Sequence, residues 1–109
     1  MQNKNLIWLG STRKDLKEFP KEVQSHVGYA LFRAQQGRTH QDAKLMKGFK
    51  AHVWEITSRH SGNTYRTAYY TKIDDEVYIL HAFQKKSKHG IATPKNEIDI
   101  IKQRLNTIL

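Results

Sequence analysis

Cysteine is absent from this 109-residue chain, which excludes disulfide bonds, thiolate metal sites and thiol nucleophiles. Proline occurs only twice and glycine six times, and no linker, repeat or low-complexity segment is recognisable. The apolar run Leu6–Leu9 near the N-terminus is too short for a signal peptide or a membrane span. We therefore expect one domain over residues 1–109, cytoplasmic and without a membrane partner.

Acidic residues are scarce: ten Asp and Glu stand against nineteen Lys and Arg, giving a formal net charge of +9. Such an excess raises the local concentration of polyanions and speeds association with them. From Lys44 to Lys72 the only acid is Glu55. The basic residues of that segment are Lys44, Lys47, Lys50, Arg59, Arg66 and Lys72. This distribution favours a function that involves a polyanionic partner. The alternative is that the charge only keeps a basic protein soluble.

Hydrophobic spacing predicts an α+β domain. Residues 5–9 are typical of a strand, and Gly10-Ser11 breaks it before a short helix. A second helix follows Pro20, with an apolar stripe at spacings of three and four that ends near Gly37. The stripe consists of Val23, Val27, Ala30, Leu31 and Ala34. Residues 38–51 are mainly polar and predict a loop.

The second half of the chain changes to the alternation of strands. Three strands are predicted at residues 52–58, 65–71 and 77–83, the first two joined as a hairpin through Ser61-Gly62-Asn63. A last helix begins at Thr93-Pro94, with Thr93 as the N-cap and Pro94 at the first helical position. The predicted fold has two N-terminal helices and a C-terminal helix packed on a mainly antiparallel sheet of about four strands.

Basic side chains gather where these strands end. If the helices cover one face of the sheet, the other is free, and Arg66 shares its face with Ala68 and Tyr70. Arg59 ends the preceding strand, and Lys85-Lys86 end the last one. Two guanidinium groups and two ammonium groups brought together would suit a phosphodiester, with Lys also able to accept a proton if its pKa is lowered. The alternative is that each is a solvated charge.

Histidine and tyrosine side chains provide further candidates. None of the six histidines has the spacing of a metal hydrolase, so no metal site is predicted. His81 lies in an apolar strand and is expected to be a hydrogen-bonded core residue. His60, beside Arg59, could transfer protons near neutral pH. Tyr65 could stack on a base, or pack in the core as strand tyrosines commonly do. No Ser/His/Asp set is recognisable.

Two segments carry a family likeness: Arg59–Arg66 reads RHSGNTYR, and Tyr78–Lys88 reads YILHAFQKKSK. With the helix opened by Thr93-Pro94, they resemble the RelE/ParE toxin superfamily, and more closely its phage-derived, HigB-type branch. The likeness spans nearly the whole chain, because the predicted order of elements also matches.

The resemblance implies the toxin of a type II toxin–antitoxin system, an enzyme that cleaves mRNA on the ribosome without metal or cofactor. It implies that Arg59 and Arg66 hold the scissile phosphate, while Lys85 or Lys86 steadies the leaving oxygen or assists proton transfer. His60 is a further candidate for proton transfer. For RNA binding we predict Lys44, Lys47, Lys50, Lys88 and Tyr65.

The chain departs from RelE-type enzymes at Glu55 and Thr57, where those enzymes carry lysines, and it lacks their late tyrosine. The general base and acid therefore stay open. Two other functions also stay open: a ParE-like DNA gyrase poison, and a non-catalytic basic RNA-binding module. The resemblance implies a helix-turn-helix antitoxin as partner, and the positive charge independently favours fast association with an acidic polypeptide.

Overall fold

The chain begins with a short strand and two helices and ends with a third helix, in agreement with the prediction. The computed structural model describes residues 3–72, 76–86 and 92–109. The elements are β1 (Leu6–Trp8), α1 (Thr12–Lys17), α2 (Lys21–Gln35), β2 (Ala43–Leu45), β3 (Val53–His60), β4 (Asn63–Thr71), β5 (Val77–Lys85) and α3 (Lys95–Asn106). Within the described ranges, no helix has the length and apolar character that crossing a membrane requires.

One five-stranded sheet organises the fold, in the order β1-β5-β4-β3-β2. All neighbours are antiparallel except β1, which pairs parallel with β5. β2 corrects the sequence interpretation, because it falls in the segment predicted as a loop and brings the sheet to five strands. Its three residues are too few to show the alternation that distinguishes a strand from a loop.

The first helices pack on one face of the sheet, which we call the helix-pair face. The apolar stripe of α2 is buried as predicted, and each of its five residues is at most 2% exposed. These residues form a core with Leu16 of α1 and with Ile56, Tyr65, Tyr69 and Ile79 of the sheet. Removing this apolar surface from water is the main force that holds the helix pair on the sheet.

The last helix packs on the opposite face, which we call the α3 face. Ile101 and Leu105 contact Val53, Ala68 and Leu80 there. This position corrects the expectation that one face of the sheet is free. The apolar contacts of α3 are with the middle of the strands and with their ends away from the β3–β4 hairpin, so the part of the α3 face nearer the hairpin carries mainly polar side chains.

The β3–β4 turn and the start of α3 border that polar region. The β3–β4 hairpin turns through Ser61 and Gly62, whose φ angles of 49° and 79° are both positive, as a two-residue type I′ turn requires. α3 begins at Lys95 with Pro94 as its N-cap. Thr93 is therefore not the cap that the sequence predicts, and its hydroxyl bonds to Glu55 instead.

Candidate functional site

Residues directly opposite in neighbouring strands point to the same face. Near the hairpin, the α3 face accordingly carries two rows of side chains across β3, β4 and β5. One row is Thr57, Arg66 and Phe83, and the next towards the hairpin is Arg59, Thr64 and Lys85. The sheet thus brings together three of the four predicted catalytic residues, Arg59, Arg66 and Lys85, from positions up to 26 residues apart in the sequence.

Arg66 is one of two enclosed cations in these rows, with 9% of its surface exposed. Its Nη1 donates a hydrogen bond of 2.6 Å to Oε1 of Glu55, which is 6% exposed. The other carboxylate oxygen of Glu55 accepts a 2.8 Å hydrogen bond from the Thr93 hydroxyl. Because both carboxylate oxygens are engaged, Glu55 fixes the guanidinium group in one orientation on the sheet.

Lys85 ends β5 and is also 9% exposed. Burial lowers the pKa of its ammonium group below the usual value of 10.5, and the positive charge of Arg66 lowers it further, while Glu55 acts in the opposite direction. A lowered pKa makes the neutral amine more accessible, and the neutral amine is the form that accepts a proton. The like charge of Arg66, the cause expected from the sequence, lowers the pKa less than burial does.

The remaining predicted cations lie at the surface. Arg59 is exposed in the row with Lys85, and Lys86 is exposed directly after β5. Lys44 is exposed on β2 opposite Glu55, and Lys47 and Lys50 are exposed in the segment that follows. Lys47 and Lys50 lie at the end of β3 away from the hairpin, where Lys50 lines a cavity with Leu105 and Leu109. The exposed positive charge nearest to the buried Arg66–Lys85 pair is that of Arg59 and Lys86. Lys88 lies outside the described residues.

Two predicted residues are placed elsewhere. His60 lies on the helix-pair face, with Nε2 3.9 Å from the Glu22 carboxylate of α2, because successive residues of a strand point to opposite faces and Arg59 takes the α3 face. Tyr65 corrects the RNA-binding prediction: it is 7% exposed and its ring packs 4.8 Å from that of Phe19. Packing, the alternative considered for Tyr65, is what the structure has.

His81 is the hydrogen-bonded core residue that its apolar strand predicts. It is 6% exposed, and its ring stacks on Phe83 with centroids 4.8 Å apart. Its Nε2 lies 3.1 Å from Oε1 of Glu97, and its Nδ1 lies 3.5 Å from Nη1 of Arg104. Since the guanidinium can only donate, Nδ1 is the acceptor and Nε2 carries the hydrogen that is donated to Glu97. These contacts join α3 to the sheet beside Arg66.

Sequence reasoning missed the residues that orient the site, namely Glu55, Thr93, Glu97 and Arg104. Glu55 alone had a signal in the sequence, because it is the only acid of a basic segment. On β3 it lies two residues from Thr57, the residue that pairs with Arg66. The α3 residues gave none, because the predicted sheet had α3 on the wrong face to reach Arg66 or His81.

The α+β architecture is broadly that of RelE-like proteins, and its cationic sheet face is consistent with the class of RelE/ParE-like toxins. The chain belongs to the family described as Phage derived protein Gp49-like (DUF891), whose model matches residues 14–106. This family is one of RelE/ParE-like toxins, and membership implies an antitoxin partner. No curated protein matches the chain.

Proposed function

We propose that this chain is the toxin of a type II toxin–antitoxin system of the HigB type, and that it acts as a ribosome-dependent mRNA endoribonuclease. The observation that carries the proposal is the placement of Arg66, Lys85 and Arg59 in adjacent rows of one sheet face. Two guanidinium groups in that arrangement complement the negative charge of a phosphodiester and of the transition state that forms on it, and the amine of Lys85 beside them can accept a proton.

In the proposed reaction Arg66, oriented by Glu55, binds a non-bridging oxygen of the scissile phosphate. Lys85 in its neutral form accepts the proton of the ribose 2′-hydroxyl, whose oxygen attacks the phosphorus. The bond to the 5′-oxygen breaks and that oxygen takes a proton from a solvent water molecule, leaving a 2′,3′-cyclic phosphate and a 5′-hydroxyl. Arg59 and Lys86 stabilise the charge that develops on the phosphate and the leaving oxygen.

The experiment is controlled expression in cells, followed by mapping of RNA 5′ ends and of DNA breaks in the same cultures. We expect arrested translation with transcripts cut inside codons, and intact transcripts during arrest would contradict the proposal. DNA breaks without cut RNA would instead indicate a gyrase poison. RNA binding without cleavage or breaks would indicate a non-catalytic module.

Two variants separate the catalytic face from general positive charge. Arg66→Lys keeps a cation beside Glu55 but loses the planar two-nitrogen geometry, and we expect cleavage to fall about 10²–10³-fold, as for loss of one transition-state contact. Lys44→Ala removes an exposed cation from the same face and should change cleavage much less. Equal losses in the two variants would remove the assignment of Arg66.

The proposal includes a helix-turn-helix antitoxin that covers the basic surface. Co-expression with the neighbouring reading frame, followed by purification through a tag on one chain, tests it. We expect a stable complex and restored growth. Recovery of the tagged chain alone, active and tolerated by the host, would count against the toxin–antitoxin assignment.

A further inference from the structure

A second cluster of polar side chains lies on the helix-pair side of β3, apart from Arg66. His26 of α2, with His40 and Asp42 in the segment before β2, brings three potential ligand atoms within 4.8 Å of one another. Nε2 of His26 is 2.8 Å from Oδ2 of Asp42, and Nδ1 of His40 is 3.9 Å from the same oxygen. We propose that these three residues bind one first-row divalent cation of the Zn²⁺ class.

The donor atoms suit such a cation. Two imidazole nitrogens and one carboxylate oxygen are ligands that Zn²⁺ and its first-row neighbours accept, whereas Mg²⁺ and Ca²⁺ prefer oxygen alone. Zn–N and Zn–O bonds place neighbouring ligand atoms of a tetrahedron about 3.3–3.5 Å apart. The distances of 2.8 Å and 3.9 Å to Oδ2 of Asp42 lie on either side of that separation. The three ligand atoms lie within 4.8 Å of one another, so metal binding requires the histidine side chains to rotate towards a common centre.

Surrounding contacts already orient two of the ligands. Nδ1 of His26 lies 2.6 Å from the hydroxyl of Ser58, a residue 2% exposed. A hydrogen bond from Nδ1–H to that hydroxyl leaves the Nε2 lone pair for the metal, as in many histidine ligands. The ring of His40 is held edge-on by Tyr29 at 5.5 Å. Metal binding through Nδ1 of His40 requires one hydrogen bond to break, because the Asp42 N–H donates to that nitrogen at 3.0 Å.

A cavity of about 240 Å³ adjoins the cluster and is lined by His26, Asp42, Ser58 and Arg59 among others. Three protein ligands leave a fourth tetrahedral position, which in sites of this kind is taken by water or by a ligand oxygen. The cavity supplies room for that fourth ligand. The exposed Asp42 side chain gives the cation a route of entry, since 47% of it is accessible to solvent.

Asp42, His26 and Ser58 are also joined by hydrogen bonds in that order, which is the arrangement of a nucleophilic triad. Two observations favour the metal instead. The Ser58 hydroxyl belongs to a strand residue with almost no exposed surface, and the neighbouring Thr57 N–H donates to the Asp42 carbonyl at 3.2 Å. That N–H is therefore engaged and does not serve as an oxyanion donor.

The binding experiment uses tag-free, full-length protein treated with a chelator, then titrated with Zn²⁺ in a calorimeter and followed by thermal unfolding. We expect one Zn²⁺ per chain and a rise in Tm, because the cation binds the folded arrangement and not the unfolded chain. Asp42→Asn and His40→Gln should lose the binding. Ser58→Ala should weaken it about 10–100-fold, because it removes only the group that orients His26.

His52→Gln is the matched control, since His52 is an exposed histidine outside the cluster and its loss should leave the affinity unchanged. The proposal is overturned if no saturable site for one Zn²⁺ exists, or if the Asp42 and His40 variants bind as the unaltered protein does. Both results are read from metal binding and not from RNA cleavage, so they do not depend on the proposed nuclease activity. Arg66 and Lys85 lie on the opposite face of the sheet from Ser58, and Arg59 borders both regions.

If a variant does not fold, the metal site can still be tested on the unaltered protein. Long-range ¹H–¹⁵N spectra of the imidazole rings distinguish which nitrogen binds a metal. Of the six histidines, we expect Zn²⁺ to shift His26 through Nε2 and His40 through Nδ1. Changes confined to His60, His81 or other rings would place the cation elsewhere and overturn the assignment.

Discussion

At the scale of single residues, the cationic face depends on a carboxylate. Glu55 and Arg66 form a hydrogen-bonded charge pair of which each member is less than a tenth exposed. Removing one partner of a buried pair typically costs about 3–5 kcal/mol, because the other charge stays buried without it. We expect Glu55→Ala to lower the free energy of unfolding by that amount in urea titrations. The double variant with Arg66→Ala should regain part of the loss, and strictly additive losses would contradict the pairing.

Lys85 gives the second prediction at this scale. Its pKa in the folded protein is below the 10.5 of an ordinary lysine, so between those two values the unfolded chain binds more protons than the folded one. The free energy of unfolding therefore rises with pH across that window. We expect the protein to gain stability relative to Lys85→Met as the pH is raised towards 10.5, the ordinary pKa of lysine. If the free energy of unfolding of the two proteins changes with pH in the same way, the pKa of Lys85 is that of an ordinary lysine.

Among the elements, the β3–β4 hairpin sets the register that places Arg59 opposite Thr64, which is paired on its other side with Lys85. Its turn places Ser61 at a φ of 49°, a conformation that costs residues with a β-carbon about 1–2 kcal/mol and that Asn tolerates better. Ser61→Asn should therefore raise the free energy of unfolding by up to about 1 kcal/mol. Gly62→Ala, at a φ of 79°, should lower it. Chemical denaturation of both variants checks the prediction, and stabilisation by Gly62→Ala would contradict it.

The elements also show how far sequence alone reaches. The α2 stripe, the hairpin and the apolar strand β5 follow from periodicity and turn chemistry, which act over a few residues. β2 does not, because three residues at a sheet edge have no periodic signal. The side of the sheet that α3 takes is set by long-range packing of Ile101 and Leu105, and no local pattern reports it. The Arg66 and Lys85 positions were predictable; their Glu55 and Thr93 neighbours depended on that packing.

For the molecule as a whole, the net charge of +9 predicts RNA binding that weakens steeply with salt. Each phosphate contact with a single strand contributes about −0.7 to the slope of log affinity against log salt concentration. Lys86→Gln should reduce the slope by about that amount. Lys14→Gln, an exposed change on α1 at the other side of the sheet, should not. Fluorescence anisotropy with a short RNA measures both, and identical slopes would exclude Lys86 from the interface.

The parallel pairing of β1 with β5 has a consequence for biosynthesis. β1 leaves the ribosome first, yet its partner is made only when residues 77–79 have been added. Until then β4 lacks its inner neighbour and β1 has no strand to join, and contacts between such distant segments form slowly. Thr93, which closes the hydrogen bonds of Glu55, is made later still. The cationic face is therefore assembled only after most of the polypeptide has been translated, and a prematurely terminated chain does not form it.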